Sequence, residues 1–152
     1  MAKSYEIKLK GWSKLQKALK RNPEVTIFEV AKAIKTSINT VRPIMRAEAP
    51  HDKGKLRENI FARYANGKGY VGPDLKATPY AYWVHEGTDP YIIRAKPGKA
   101  LYWKGARHPV KSVRHPGIAP NKFIERTVKI ASPYVNVIFN NALKNIIKNL
   151  KK

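Results

Sequence analysis

The chain has 152 residues, no cysteine, and 31 Lys and Arg against 10 Asp and Glu, a formal charge of +21. This length suits one domain with a modest core, and the missing thiols exclude disulfides, zinc–thiolate sites and cysteine nucleophiles. No run of roughly 18 apolar residues occurs, so no helix is expected to cross a membrane, and the opening Met-Ala-Lys-Ser-Tyr-Glu-Ile-Lys lacks the apolar stretch of a signal peptide.

So large a charge opposes compaction and favours polyanionic partners, either nucleic acid or an acidic protein neighbour. The plain alternative is a generally basic, soluble surface. Residues 1–21 carry seven Lys or Arg and one Glu, residues 118–152 carry the same, and residues 22–50 carry four against three. The near-neutral stretch is therefore the expected buried helix.

Tyr5, Ile7 and Leu9 alternate with Glu6, Lys8 and Lys10, the period of a half-buried strand. After Gly11, Trp12, Leu15 and Leu19 recur at helical spacing. Asn22-Pro23 ends that short helix and starts another, with Asn22 as cap and Pro23 in the first turn. Over residues 24–48 the apolar positions Ile27, Ala31, Ile34, Ile38, Val41 and Met45 step by three and four, which predicts a long amphipathic helix. Pro43 is expected to kink or divide it, and Ala49-Pro50 to end it. Asp52-Lys53-Gly54 is a turn. Residues 56–60 form one helical turn or lead directly into a strand. Phe61 to Ala65, Asn66-Gly67 and Tyr70 to Gly72 read as a β-hairpin, with Lys68-Gly69 as a candidate extension of its loop.

Residues 79–85 predict a short helix with Thr78 as N-cap and Pro79 in the first turn. The proline- and base-rich stretch 89–119 reads as a long loop containing short strands at 100–103 and 110–113, and a loop of that length is usually functional. Residues 121–150 predict a final helix, offset or broken at Ser132-Pro133, with Tyr134, Val135, Ile138, Ala142, Ile146 and Leu150 as its stripe. The predicted fold is a single α+β domain over 1–152. In it a small antiparallel sheet is packed by the long helix and the C-terminal helix, 89–119 is an extended arm, and 146–152 is a basic tail.

The residues offer little chemistry. None of the four histidines has the spacing of a helical metal pair, so neither metal nor cofactor is expected. His85-Glu86 makes a poor acid–base pair, because adjacent helical residues point about 100° apart. Gly67-Lys68-Gly69 lacks the pattern of a phosphate loop, and no nucleophile elbow occurs. The scattered acids argue against a nuclease or toxin. Tyr80, Tyr82, Trp83, Tyr91, Tyr102 and Trp103 lie among basic residues, either packing a core and a subunit interface or forming a stacking platform for single strands.

Three motifs occur in order: Ala49-Pro50-His51-Asp52-Lys53-Gly54-Lys55-Leu56-Arg57-Glu58-Asn59-Ile60, then Tyr80-Ala81-Tyr82-Trp83-Val84-His85-Glu86-Gly87-Thr88, then His115-Pro116-Gly117-Ile118-Ala119-Pro120-Asn121-Lys122-Phe123-Ile124. Together they resemble the small head–tail joining, or tail-completion, proteins of long-tailed phages, the family often called gene-ten-like after phage HK97. The resemblance spans residues 3–145. Lys53 and Asn59 depart from the family pattern, as do an extra residue, His85, before Glu86 and a long 89–114 insert.

The resemblance implies a non-enzymatic structural virion protein of the neck, made in the host cytoplasm. It would form a homo-oligomeric ring, a hexamer with a dodecamer as the alternative. Its neighbours would be other neck, tail-terminator or tail-tube proteins, with packaged DNA as a further contact in the lumen. The residues implied in assembly and turn formation are Asp52, Gly54, Leu56, Tyr80, Tyr82, Trp83, Glu86, Gly87, His115, Pro116, Gly117 and Phe123. Asp52 would accept backbone N–H bonds in the turn that Gly54 permits, Gly87 would end the short helix with positive φ, and Phe123 would anchor the last helix. Lys3, Lys8, Lys10, Lys14, Lys17, Lys20 and Arg21 are the expected contacts to DNA or an acidic partner. The alternative reading is a basic nucleic-acid-binding module that acts through these cations and the aromatic rings.

Overall fold

A long helix is possible from Pro23 onward because the chain offers about seven turns without glycine, opened by a proline where its missing N–H is harmless. The computed structural model describes residues 23–150 and shows helix α1 there, Pro23–Glu48. The expected strand at 5–9, the helix at 12–19 and the cations from Lys3 to Arg21 lie outside the described residues, as do the last two residues of the tail. The remaining elements are α2 (Lys55–Glu58), β1 (Ile60–Ala65), β2 (Lys68–Pro73), α3 (Ala81–Glu86), β3 (Tyr91–Arg94), β4 (Ser112–His115) and α4 (Phe123–Leu150). The fold is α+β, with two separate antiparallel strand pairs, β1–β2 and β3–β4.

The described residues form two compact units. The first runs to Pro79 and resumes at Phe123; the second is Tyr80–Lys122. In the first unit α1 packs mainly on α4 and also on β1 and β2. The two helices run antiparallel: Asn145 Nδ2 donates to Glu29 Oε2 (3.2 Å), and Arg126 Nε donates to Glu48 Oε2 (2.7 Å), so the start of one helix meets the end of the other. On α1 the buried line is Thr26, Ala33, Ser37 and Met45. This is rotated from the expected stripe, since Ile27 is 62% exposed and Ile34 and Ile38 are half-buried. The displaced Ile34 and Ile38 lie against the hairpin. A Cβ on Gly69 of β2 would fall 2.5 Å from Ile38 Cγ2 and 2.8 Å from Ile34 Cγ2, so the hairpin reaches α1 only because position 69 has no side chain.

On α4 the buried positions are Phe123, Thr127, Ala131, Val135, Ala142 and Ile146, nearly all at steps of four. Tyr134 is not among them; it is exposed. Of the alternatives expected at the prolines, the division at Pro43 and the break at Ser132-Pro133 do not occur. Pro43 and Pro133 both lie inside continuous helices. Both residues are exposed, as are Asn39 and Lys129 four residues earlier, whose carbonyls lack the N–H partner that proline cannot supply. Near the second proline, Ser132 Oγ donates to Val128 O.

The hairpin forms as expected, with a two-residue turn: Ala65 pairs with Lys68 across Asn66 (φ 51) and Gly67 (φ 71), both left-handed. Lys68 and Gly69 therefore belong to the strand and not to a longer loop. The helix expected over 79–85 begins at Ala81. Thr78 does not cap it: Tyr80 holds the cap position with no side-chain bond, and Thr78 Oγ1 donates to Asp74 O (2.7 Å). The last helix starts at Phe123, two residues later than expected.

The largest difference lies in 89–119. That stretch is a β-ribbon and not a loop. Tyr91, Ile92, Ile93 and Arg94 pair with His115, Arg114, Val113 and Ser112, and bridges flank them at Thr88–Ile118 and Leu101–Val110. The expected strand at 110–113 is displaced toward the C-terminus, and the one at 100–103 is reduced to the single Leu101 bridge. Ala95 N–H still donates to Lys111 O, so Lys96 to Ala100 loop out of one side of the ribbon before Leu101 meets Val110.

Candidate functional site

The residues singled out in the sequence divide between the two units. Asp52, Gly54 and Leu56 belong to the first. Gly54 (φ 80) precedes α2, where a side chain would be strained, and Leu56 is buried. Asp52 does not play the expected turn role: it is exposed and makes no hydrogen bond to another described residue. The polar anchoring comes from three arginines instead. Arg57 Nε donates to Ala49 O (2.8 Å) and its Nη2 to Ala47 O (3.3 Å), covering carbonyls left open at the end of α1. Arg42 Nε donates to Ile60 O (2.9 Å), and Arg46 Nη2 to Glu58 O (3.1 Å). The motif is therefore a strap that ties the turn before β1 to the helix, and Arg42 and Arg46 were the residues that motif reading missed. Phe123, also in this unit, is completely buried.

The other two motifs meet in the second unit. Gly87 (φ 80) ends α3, its N–H donating to Trp83 O (2.7 Å). A Cβ there would fall 2.6 Å from Ile118 O and 2.9 Å from Pro120 N. Gly117 (φ 88) faces it: a Cβ there would fall 2.3 Å from Thr88 O and 2.9 Å from the Asp89 carbonyl carbon. Thr88 and Ile118 exchange both backbone bonds (2.9 and 3.1 Å), Asn121 N–H donates to Val84 O (3.1 Å), and Lys122 N–H to His85 O (3.2 Å). Two glycines thus let two chain segments cross at backbone contact, and the crossing fixes the base of the ribbon.

Side chains complete the junction. Lys122 Nζ donates to Glu86 Oε2 at 2.6 Å. Both groups are partly exposed, so the pair contributes at most about 1 kcal/mol. Lys122 itself holds φ 54, a left-handed conformation that costs a non-glycine residue about 1–2 kcal/mol and that these bonds hold in place. His85 is buried, and its Nε2 lies 3.6 Å from Glu86 Oε1, so these adjacent residues approach one another more closely than helical geometry alone predicts. Gly117 N–H donates to His115 Nδ1 (3.1 Å), and the His115 ring stacks on Tyr91 with centroids 4.8 Å apart. Among the described residues no group of His, Asp and Glu is arranged to hold a metal ion.

Beyond the junction the ribbon carries an unusual surface. From Pro90 to His115 there is no Asp or Glu, and the cations are Arg94, Lys96, Lys99, Lys104, Arg107, Lys111 and Arg114. The aromatic group expected either to pack a core and a subunit interface or to stack single strands is exposed: Tyr80, Tyr82 and Trp83, at and on α3, and Tyr91, Tyr102 and Trp103, on the ribbon, are all at least 39% accessible. Tyr82 and Trp83 meet edge to face at 6.2 Å. Exposed rings beside uncompensated cations suit docking onto another molecule. The acid-free run was the sequence signal for this surface. Comparison with protein-family models, with curated proteins and with solved structures finds no match to this chain.

Proposed function

We propose that the chain is a structural virion protein of a tailed phage, part of the head–tail connector (neck) or of a tail-completion ring, which joins head to tail without catalysis. In this reading copies of the chain form a homo-oligomeric ring, a hexamer or a dodecamer, and neighbouring neck, tail-terminator or tail-tube proteins bind to it. The observation that carries the reading is the use made of the motif residues. Gly54, Gly87, Gly117 and Phe123 shape backbone and core, and what they shape ends in a ribbon that carries exposed rings and cations. The ribbon is the docking arm. It contributes ring burial, and its outer strand edges are available for main-chain pairing with a neighbour.

The test is a shortened arm in which residues 96–110 are replaced by Asn-Gly, joining Ala95 to Lys111 where the ladder is still paired. The variant is expected to fold, by circular dichroism, and to fail to join heads to tails when it replaces the native gene. Infectious particles at normal titre would refute the docking arm.

A second reading has its own support. The same acid-free cations and exposed rings suit a nucleic-acid-binding module that grips phosphates and stacks bases. It predicts tight binding of single strands with a steep salt dependence.

A further inference from the structure

We infer that the β3–β4 ribbon docks an acidic, extended protein segment that places an apolar side chain in the cleft beside Ile93 and Val113. The inference rests on the reading of the ribbon as a docking arm and names the chemistry of its partner.

The pairing register sorts the ribbon's side chains. Tyr91, Ile93, Val113 and His115 share one face, and Ile92, Arg94, Ser112 and Arg114 share the other. On the second face Arg94 lies opposite Ser112, so Arg114 is its diagonal neighbour. Like charges in such positions repel, and no carboxylate between Pro90 and His115 relieves them. Carboxylates supplied from outside would do so. Beside the ladder lies a cleft of about 420 Å³ lined by Ile93, Leu101, Trp103 and Val113 together with Arg114 and His115. Phosphates satisfy the cations and bases could stack on Tyr102 and Trp103, but Ile93, Leu101 and Val113 would be left unfilled, whereas a peptide that alternates acidic and apolar residues meets both the cations and these aliphatic side chains, because successive side chains of a strand point to opposite faces. Among the described residues the sheet has only two strands, so each has an outer edge with no described strand beside it, which is the template on which an extended peptide adds. A second copy of this ribbon is a poor occupant, since it brings the same seven cations.

The experiment titrates the full chain, followed by calorimetry and by tryptophan fluorescence, with three probes of equal length at physiological salt: a peptide alternating Glu and Val, polyglutamate, and oligothymidylate. The alternating peptide is expected to bind most tightly. Arg94→Glu with Arg114→Glu should weaken it about tenfold or more, the loss of two charge-assisted contacts. The neutral pair Arg94→Gln with Arg114→Gln should weaken it less, which separates charge from misfolding. Ile93→Ser should reduce the preference for the alternating peptide over polyglutamate. Tighter binding of oligothymidylate, no binding of the alternating peptide, or indifference to charge reversal each overturns the inference. If the peptide does not bind while the shortened-arm protein still fails to join heads to tails, the docking arm stands and only its acidic partner falls.

Discussion

Gly117→Ala tests the crossing at the base of the ribbon. The added methyl would sit 2.3 Å from Thr88 O, about 1 Å inside ordinary van der Waals contact, and the obstacle is backbone rather than the end of a flexible side chain. The segment carrying Thr88 must move away, and both Thr88–Ile118 backbone bonds are lost with it. Each contributes about 1 kcal/mol, and placing alanine at φ 88 adds about 1–2 kcal/mol. The whole effect is about 3–4 kcal/mol on the stability of the second unit. Native-state hydrogen exchange reads it directly: the amides of Thr88, Ile118 and Asn121 should lose protection by that amount. Gly98→Ala is the internal control, since Gly98 has a similar φ of 74 and no heavy atom near its Cβ position. It should cost only the same backbone strain, about 1–2 kcal/mol, with no lost hydrogen bonds. If Gly117→Ala proves no worse than Gly98→Ala, the close crossing of the two motifs does not exist.

Two further predictions concern the first unit. Phe123→Ala removes a completely buried ring and should lower stability in urea by about 3–5 kcal/mol, while Tyr134→Ala, which truncates an exposed ring on the same helix, should stay within about 0.5 kcal/mol. Gly69→Ala should cost about 1–3 kcal/mol by overpacking against Ile34 and Ile38. Truncating the second of these, Ile38→Ala, should then cost less in the Gly69→Ala background than in the native chain, a coupling that a double-mutant cycle measures.

Much of the candidate site was legible because its parts obey local rules. Gly87 and Gly117 stand where the motifs need unusual backbone, and both have positive φ. The neighbourhood of each was not legible. That a Cβ at 87 would strike Ile118 and one at 117 would strike Thr88 depends on residues some thirty positions away. The ribbon was missed for the same reason. Tyr91-Ile92-Ile93-Arg94 is β-prone but only four residues long and flanked by prolines, and its partner, Ser112-Val113-Arg114-His115, lies across an irregular tip. The arginine strap was hidden because an arginine's spacing does not say which carbonyls it will reach.

By itself the amino-acid order determined the two long helices and the first hairpin. Apolar residues at steps of three and four, and an Asn-Gly pair that accepts left-handed backbone, carry their conformations within a few bonds of themselves. Only the tertiary structure decided which face of α1 is buried, why Pro43 and Pro133 leave their helices whole, and how 88–95 finds 111–118. Those outcomes turn on how distant segments are placed: small residues on α1 and α4 where those helices pack, the exposure of both prolines, and bare glycine backbone where two chain segments cross.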